Sequence, residues 1–139
     1  MTGTVTFTGG RTLGVTIANG GTLHVEDGQA LHGEHVTFVG ASDIRFTGAR
    51  GLITGGSWHG NLVADHDLLI VGTADTVDCS KGTITVGGNM VAAKLDIDGN
   101  DVVLANASVT GPAASGSYFS GMGADTTGAK ITGFEQENT

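Results

Sequence analysis

The chain contains one cysteine, one proline, one tryptophan and one tyrosine in 139 residues, and these scarcities exclude several classes of protein. Cys79 alone forms no intramolecular disulfide and no cysteine-based metal cluster. In Val77-Asp78-Cys79-Ser80 it falls on an alternating inward position, where a free cysteine serves as a small hydrophobe. Cations are also few: six Lys and Arg stand against fourteen Asp and Glu, for a net charge of −8 and a pI near 4.7. Arg11, Arg45, Arg50, Lys81, Lys94 and Lys130 are scattered singly. Phosphate backbones need clustered cations, so neither nucleic acid nor anionic membrane is expected as a partner. The acidic excess is read as a solubility device. The longest strongly apolar run, Leu68 to Val71, is far too short to span a bilayer. Met1-Thr2-Gly3-Thr4-Val5 lacks the basic and apolar regions of a signal peptide, so no signal-dependent export is expected.

A sustained 3.6-residue period is also missing, which predicts no helix. Instead, apolar and polar residues alternate in bursts of three to five, as in Leu13/Val15/Ile17, Val36/Phe38, Ile44/Phe46, Leu68/Ile70, Ile84/Val86 and Val102/Leu104. Bursts of period two are half-buried strands. The gaps carry Gly-Gly, Asp-Gly and Gly-Asn, which are turn signals. Twenty-five glycines with regularly spaced Val, Ile, Leu and Phe therefore mark turns in a folded chain, not a disordered one. The length suits one domain with a real core.

A short phrase also recurs. Val5-Thr-Phe7-Thr-Gly9, Val36-Thr-Phe38-Val-Gly40, Leu68-Leu-Ile70-Val-Gly72 and Val102-Val-Leu104-Ala-Asn106 start 31, 32 and 34 residues apart. Self-similarity at such intervals points to a supersecondary unit stacked as a solenoid. An antiparallel β-sandwich is the alternative, since Asn19-Gly20 and Asp27-Gly28 suit hairpin turns. The segments His35–Gly48 and Asn100–Gly111 resemble rungs of the right-handed parallel β-helix family that includes pectate lyases, polygalacturonases and phage tailspikes. The resemblance covers roughly residues 4 to 111 and is one of rung grammar. It implies an all-β fold: a short parallel β-helix of about four to five coils, with body 1–111 and an irregular C-terminal cap or assembly segment, 112–139.

Carboxylates are the first candidates for chemistry, because two clustered acids can serve glycoside cleavage. Asp65-His66-Asp67 and Asp75-Thr76-Val77-Asp78 lie near each other in sequence. The resembled enzymes also pair a His-Gly element with a basic residue; His59-Gly60 supplies the first, and no Arg-x-Lys follows. Catalysis is therefore not expected, and the chain reads as a non-enzyme. Trp58 with Asp65, Asp75 and Asp78 remains a candidate carbohydrate-binding set. Asp96, Asp98 and Asp101 around Gly99 form the oxygen-rich turn that calcium prefers. They resemble a single nonapeptide of the calcium-binding β-roll family, which needs tandem copies; no cofactor is expected, and calcium is the one cation the turn would suit. His24, His32, His35, His59 and His66 have irregular spacings that match no zinc motif.

Thr4-x-Thr6 and Thr83-x-Thr85 resemble the outward pairs of ice-binding solenoids. Aligned by the recurring phrase, however, Thr6 corresponds to Thr37, Leu69 and Val103, so the ladder breaks after two coils. Beyond Gly111 the alternation lapses, yet Tyr118, Phe119, Met122 and Phe134 supply apolar anchors expected to serve assembly. The resemblance to phage spikes implies a structural component of a phage-like virion, a capsid decoration or spike/fibre module. It would be homotrimeric, assembled in the host cytoplasm, with itself, other virion proteins and surface polysaccharide as partners. The alternatives are a carbohydrate-binding or carbohydrate-cleaving β-helix and a surface adhesion or ice-binding solenoid.

Overall fold

A computed structural model describes residues 4–7, 15–17, 22–25, 30–31, 36–38, 43–47, 50–54, 56–57, 60–72, 76–80, 82–94, 102–121 and 123–138. Among these residues the chain is all-β without a helix, and none is therefore long and apolar enough to cross a membrane. The strands are β1 (Thr4–Phe7), β2 (Val15–Ile17), β3 (Thr22–Val25), β4 (Ala30–Leu31), β5 (Val36–Phe38) and β6 (Asp43–Phe46). They continue with β7 (Arg50–Thr54), β8 (Gly56–Ser57), β9 (Asn61–Ala64), β10 (Asp67–Gly72), β11 (Val77–Asp78), β12 (Thr83–Val86) and β13 (Met90–Lys94). The last are β14 (Val102–Val103), β15 (Ser108–Thr110), β16 (Tyr118–Ser120), β17 (Ala124–Asp125), β18 (Lys130–Thr132) and β19 (Gln136–Asn138).

The topology is a parallel β-solenoid. A seven-stranded sheet runs β1-β3-β6-β9-β12-β15-β18, a six-stranded sheet β19-β16-β13-β10-β7-β4, and a four-stranded sheet β17-β14-β11-β8; β2 pairs with β5. Each pairing is parallel, so the antiparallel sandwich is excluded for the described strands. Parallel strands require a crossover between them; here the crossover is the rest of the turn, which visits the other two sheets. β7 to β9, β10 to β12, β13 to β15 and β16 to β18 are four successive turns that carry a strand on all three faces.

The turn is shorter than the recurring phrase suggests. Partners in the seven-stranded sheet, such as Thr4↔Thr22, Thr22↔Asp43, Ile44↔Leu62, Thr83↔Asn61 and Thr83↔Ser108, lie 18 to 25 residues apart. The four copies of the phrase fall in β1, β5, β10 and β14, which belong to different sheets. The phrase is thus the generic signature of one strand and its turn. It matches across faces because every face buries alternate residues.

That alternation builds the core. Ile44, Leu62, Ile84 and Val109 stack as register partners from the seven-stranded sheet, and Leu68, Met90 and Phe119 from the six-stranded one. Val77 and Val102 close the third side. All of these are buried. Full burial of such side chains is worth about 1.5–3 kcal/mol each. Large residues sit beside small ones: a Cβ placed on Gly51 would lie 2.8 Å from Phe46 Cγ, so Phe46 fills the space that glycine leaves. The corners stack as well, with Thr83 N–H donating to Gly60 C=O at 3.1 Å, Ser108 to Gly82 at 2.9 Å and Lys130 to Ala107 at 2.9 Å.

Residues 112–139, expected to depart from the coil, instead supply β16 to β19 in continuous register with the strands before them. Phe119 is 1% and Phe134 8% exposed, with ring centroids 5.8 Å apart. Both anchors are therefore occupied inside their own chain. The pattern was hidden because glycines stand where apolar residues would otherwise signal a rung. Gly111 continues the inward column, and a Cβ there would lie 2.8 Å from the Phe134 ring; Gly133, at φ +84°, turns the chain so that the ring can enter. Buried Ser117 ties this turn together, donating to Ala114 C=O at 2.6 Å and accepting from Glu135 N–H at 3.1 Å.

Candidate functional site

A shaped groove lies on the outer surface of the six-stranded sheet. Because Leu68 and Met90 point inward, Leu69 and Val91 point outward and are half-buried. Tyr118 precedes buried Phe119 and so also faces out, at 40% exposure. Asp67 and Asn89 stand one residue before Leu68 and Met90, in the column that Tyr118 continues. Together Asp67, Leu68, Leu69, Asn89, Val91 and Tyr118 line an open groove of about 150 Å³.

A polar ladder fixes the groove's wall. Asn89 N–H donates to Asp67 Oδ1 at 2.9 Å, and Tyr118 N–H donates to Asn89 Oδ1 at 3.0 Å. Leu68 N–H in turn donates to Asn89 C=O at 2.9 Å. Glycine at 88 is required here, since a Cβ would collide with the Asp67 carboxylate. Among the described residues, Asp67 Oδ2, Asn89 Nδ2 and the Tyr118 hydroxyl are left without an internal hydrogen bond. The groove thus offers an acceptor, a donor and an aromatic hydroxyl above an aliphatic floor.

The residues that the sequence nominated fall elsewhere. Asp65 occupies the turn between β9 and β10, where Arg45 Nη2 pairs with its Oδ1 at 2.8 Å. Asp78 ends β11 on another face, and its Oδ1 accepts from Ser80 N–H at 2.9 Å, a local turn. The structure therefore sets these two carboxylates apart, each with a structural partner. Trp58, Asp75, Asp96, Asp98, Asp101 and Met122 lie outside the described residues. His66 is exposed, and no three His, Cys, Asp or Glu among the described residues are grouped to hold a metal ion. Cys79 is buried as expected; burial, with the charge of Asp78 second, pushes its thiol far above the ordinary range. Asp125 is held below the usual carboxylate range by hydrogen bonds from Thr127.

The threonine alignment also changes with the shorter turn. The register partners that continue from Thr6 are His24, Arg45, Val63, Thr85, Thr110 and Thr132, not Thr37, Leu69 and Val103. Thr83, Thr85, Ser108, Thr110 and Thr132 are all exposed on this one face. His24, Arg45 and Val63 still interrupt the ladder.

Sequence reasoning missed Asn89 altogether and assigned Tyr118 to assembly. Alternation around Leu68, Met90 and Phe119 was the available signal for the outward set, but only the true turn length brings the three groove residues into one column. Comparison of the chain with family models, with curated proteins and with solved structures returned no match.

Proposed function

We propose that the chain is a non-enzymatic structural component of a phage-like virion, a spike/fibre or capsid decoration module that works as a homotrimer. The observation that carries this reading is the unbroken core running through successive turns, from Ile44 to Phe134, with strands and corners hydrogen-bonded along the stack. A coil with such a shared core and hydrogen-bonded stack suits a stiff, protease-resistant projection. The engaged state of Asp65 and Asp78 supports a role without catalysis. The link to virions itself rests on the resemblance of rung grammar, an association at the level of fold.

Virions purified by density gradient from a lysate whose phage carries the gene test the proposal. The chain should be present in them at fixed copy number by quantitative mass spectrometry, and the purified chain should sediment as a trimer. Its absence from the particles would reject the virion role, and a monomer in solution would reject the trimer.

A further inference from the structure

We propose that the groove beside Tyr118 is a binding site for a single neutral pyranose unit of a glycan. This goes beyond the virion reading and does not depend on it, because it follows from the groove's own chemistry. A pyranose ring has apolar C–H faces and a rim of hydroxyls. The groove mirrors both, with the Tyr118 ring, Leu69 and Val91 for the faces and Asp67 Oδ2, Asn89 Nδ2 and the tyrosine hydroxyl for the rim. Sites that hold small molecules combine an apolar lining with a few placed polar groups in this way. Tyrosine supplies a flat apolar body with a polar tip, and a carboxylate makes the stronger hydrogen bonds to a hydroxyl donor.

Size and topology narrow the occupant. At about 150 Å³ the groove is smaller than the ~300–1,000 Å³ of drug-sized sites, so it takes one ring and leaves the rest of a chain in solvent. A peptide that binds by strand addition would need a free strand edge to pair with. β10 and β13 are interior strands of their sheet, flanked by β7 and β16, and offer none. Charge narrows the class of sugar: Asp67 lines the groove on a chain of net charge −8, against the single cation among the described residues of its column, its register partner Arg50. This balance disfavours uronates and sulfated or phosphorylated glycans, whereas a neutral ring meets no such penalty. The polar wall is also held in advance, since Asp67 fixes Asn89 and Asn89 fixes the backbone of Tyr118. Little ordering is left to be done on binding.

The test is an amide-resolved NMR titration of the full chain with cellotriose, maltotriose and tri-N-acetylchitotriose as neutral probes and trigalacturonate as the anionic one. At least one neutral probe should shift the Asn89 and Tyr118 amide resonances saturably at millimolar concentration, and trigalacturonate should not. Tyr118→Ala should weaken that binding by about tenfold or more, and Tyr118→Phe should retain most of it. The exposed side chain can be removed without touching the backbone bond to Asn89, so an unchanged spectrum elsewhere reports the fold. Silence from all the neutral probes, a response to trigalacturonate alone, or equal affinity in Tyr118→Ala would each overturn the proposal. So would a proline-rich peptide that shifts these resonances where no sugar does, which would assign the groove to peptide.

Discussion

Phe119→Ala separates a carboxy-terminal segment that belongs to the coil from one that merely covers it. The ring is 1% exposed, stacks in register on Met90, and meets Phe134 at 5.8 Å and 49°. A Cβ on Gly121 would come within 2.9 Å of it, so no slack surrounds the ring. Truncation removes the transfer free energy of the side chain and leaves a cavity between two turns that are fixed by backbone hydrogen bonds. The expected cost is about 3–5 kcal/mol, a large part of the ~5–15 kcal/mol that holds a domain folded. With a urea m-value of about 2 kcal/mol/M, the midpoint should fall by roughly 1.5–2.5 M.

Tyr118→Ala is the matched control, one residue away and pointing outward. It should cost no more than about 0.5 kcal/mol. Equilibrium urea unfolding followed by circular dichroism near 218 nm, where strands absorb, reads both variants. If Phe119→Ala shifted the midpoint no further than Tyr118→Ala, the segment would not share the core, and the assignment of residues 118–138 to successive turns would fail. Each turn touches chiefly its neighbours, so the loss should also appear as faster amide exchange in β16 to β19 before β9 and β10 respond.

Other perturbations have equally definite outcomes. Gly88→Ala forces the Asp67 carboxylate off the Asn89 amide; it should cost about 1–3 kcal/mol in the same urea assay and abolish the Asn89 NMR response to sugar. Cys79 should resist a thiol reagent at pH 8 until urea is added, since burial and then Asp78 raise its pKa. The unfolded thiol, with a pKa of ~8.5, ionises first as pH rises. The stability contributed by the protonated native thiol is therefore complete below about pH 8.5 and declines above it, and Cys79→Ala should lose that alkaline decline. Arg45→Ala breaks a pair whose side chains are 53% and 31% exposed; it should cost less than about 1 kcal/mol, and the cost should shrink in high salt.

Strand polarity was legible because alternation is a local property. Ile44/Phe46, Ile84/Val86 and Leu68/Ile70 were assigned inward from sequence and are buried. The solenoid class was legible for the same reason, since so many short bursts with turns between them have few other ways to share a core. The length of the turn was not. Strands facing each other differ by 18 residues at Ile44↔Leu62 and by 25 at Thr83↔Ser108, so no single period runs through the chain, and the recurring phrase marks an interval that changes face. The final turns were missed because Gly111 and Gly121 replace the apolar residues that mark a rung, and the rings that fill their places, Phe134 and Phe119, come from other positions in the sequence.

The groove was illegible for a related reason. Its polar wall joins Asp67 to Asn89 across 22 residues and Asn89 to Tyr118 across 29, distances set by corners of unequal length. No motif could encode them. What the strands do preserve is parity: however many residues a corner gains, Phe119 must return to the inward column above Met90, and Tyr118 is thereby carried outward beside Asn89. A one-residue slip within β16 would bury the tyrosine and expose the phenylalanine, at the cost of the Phe119–Phe134 contact. The packing demand of the core thus holds the groove's aromatic wall in place, and the outer surface inherits its geometry from residues it never touches.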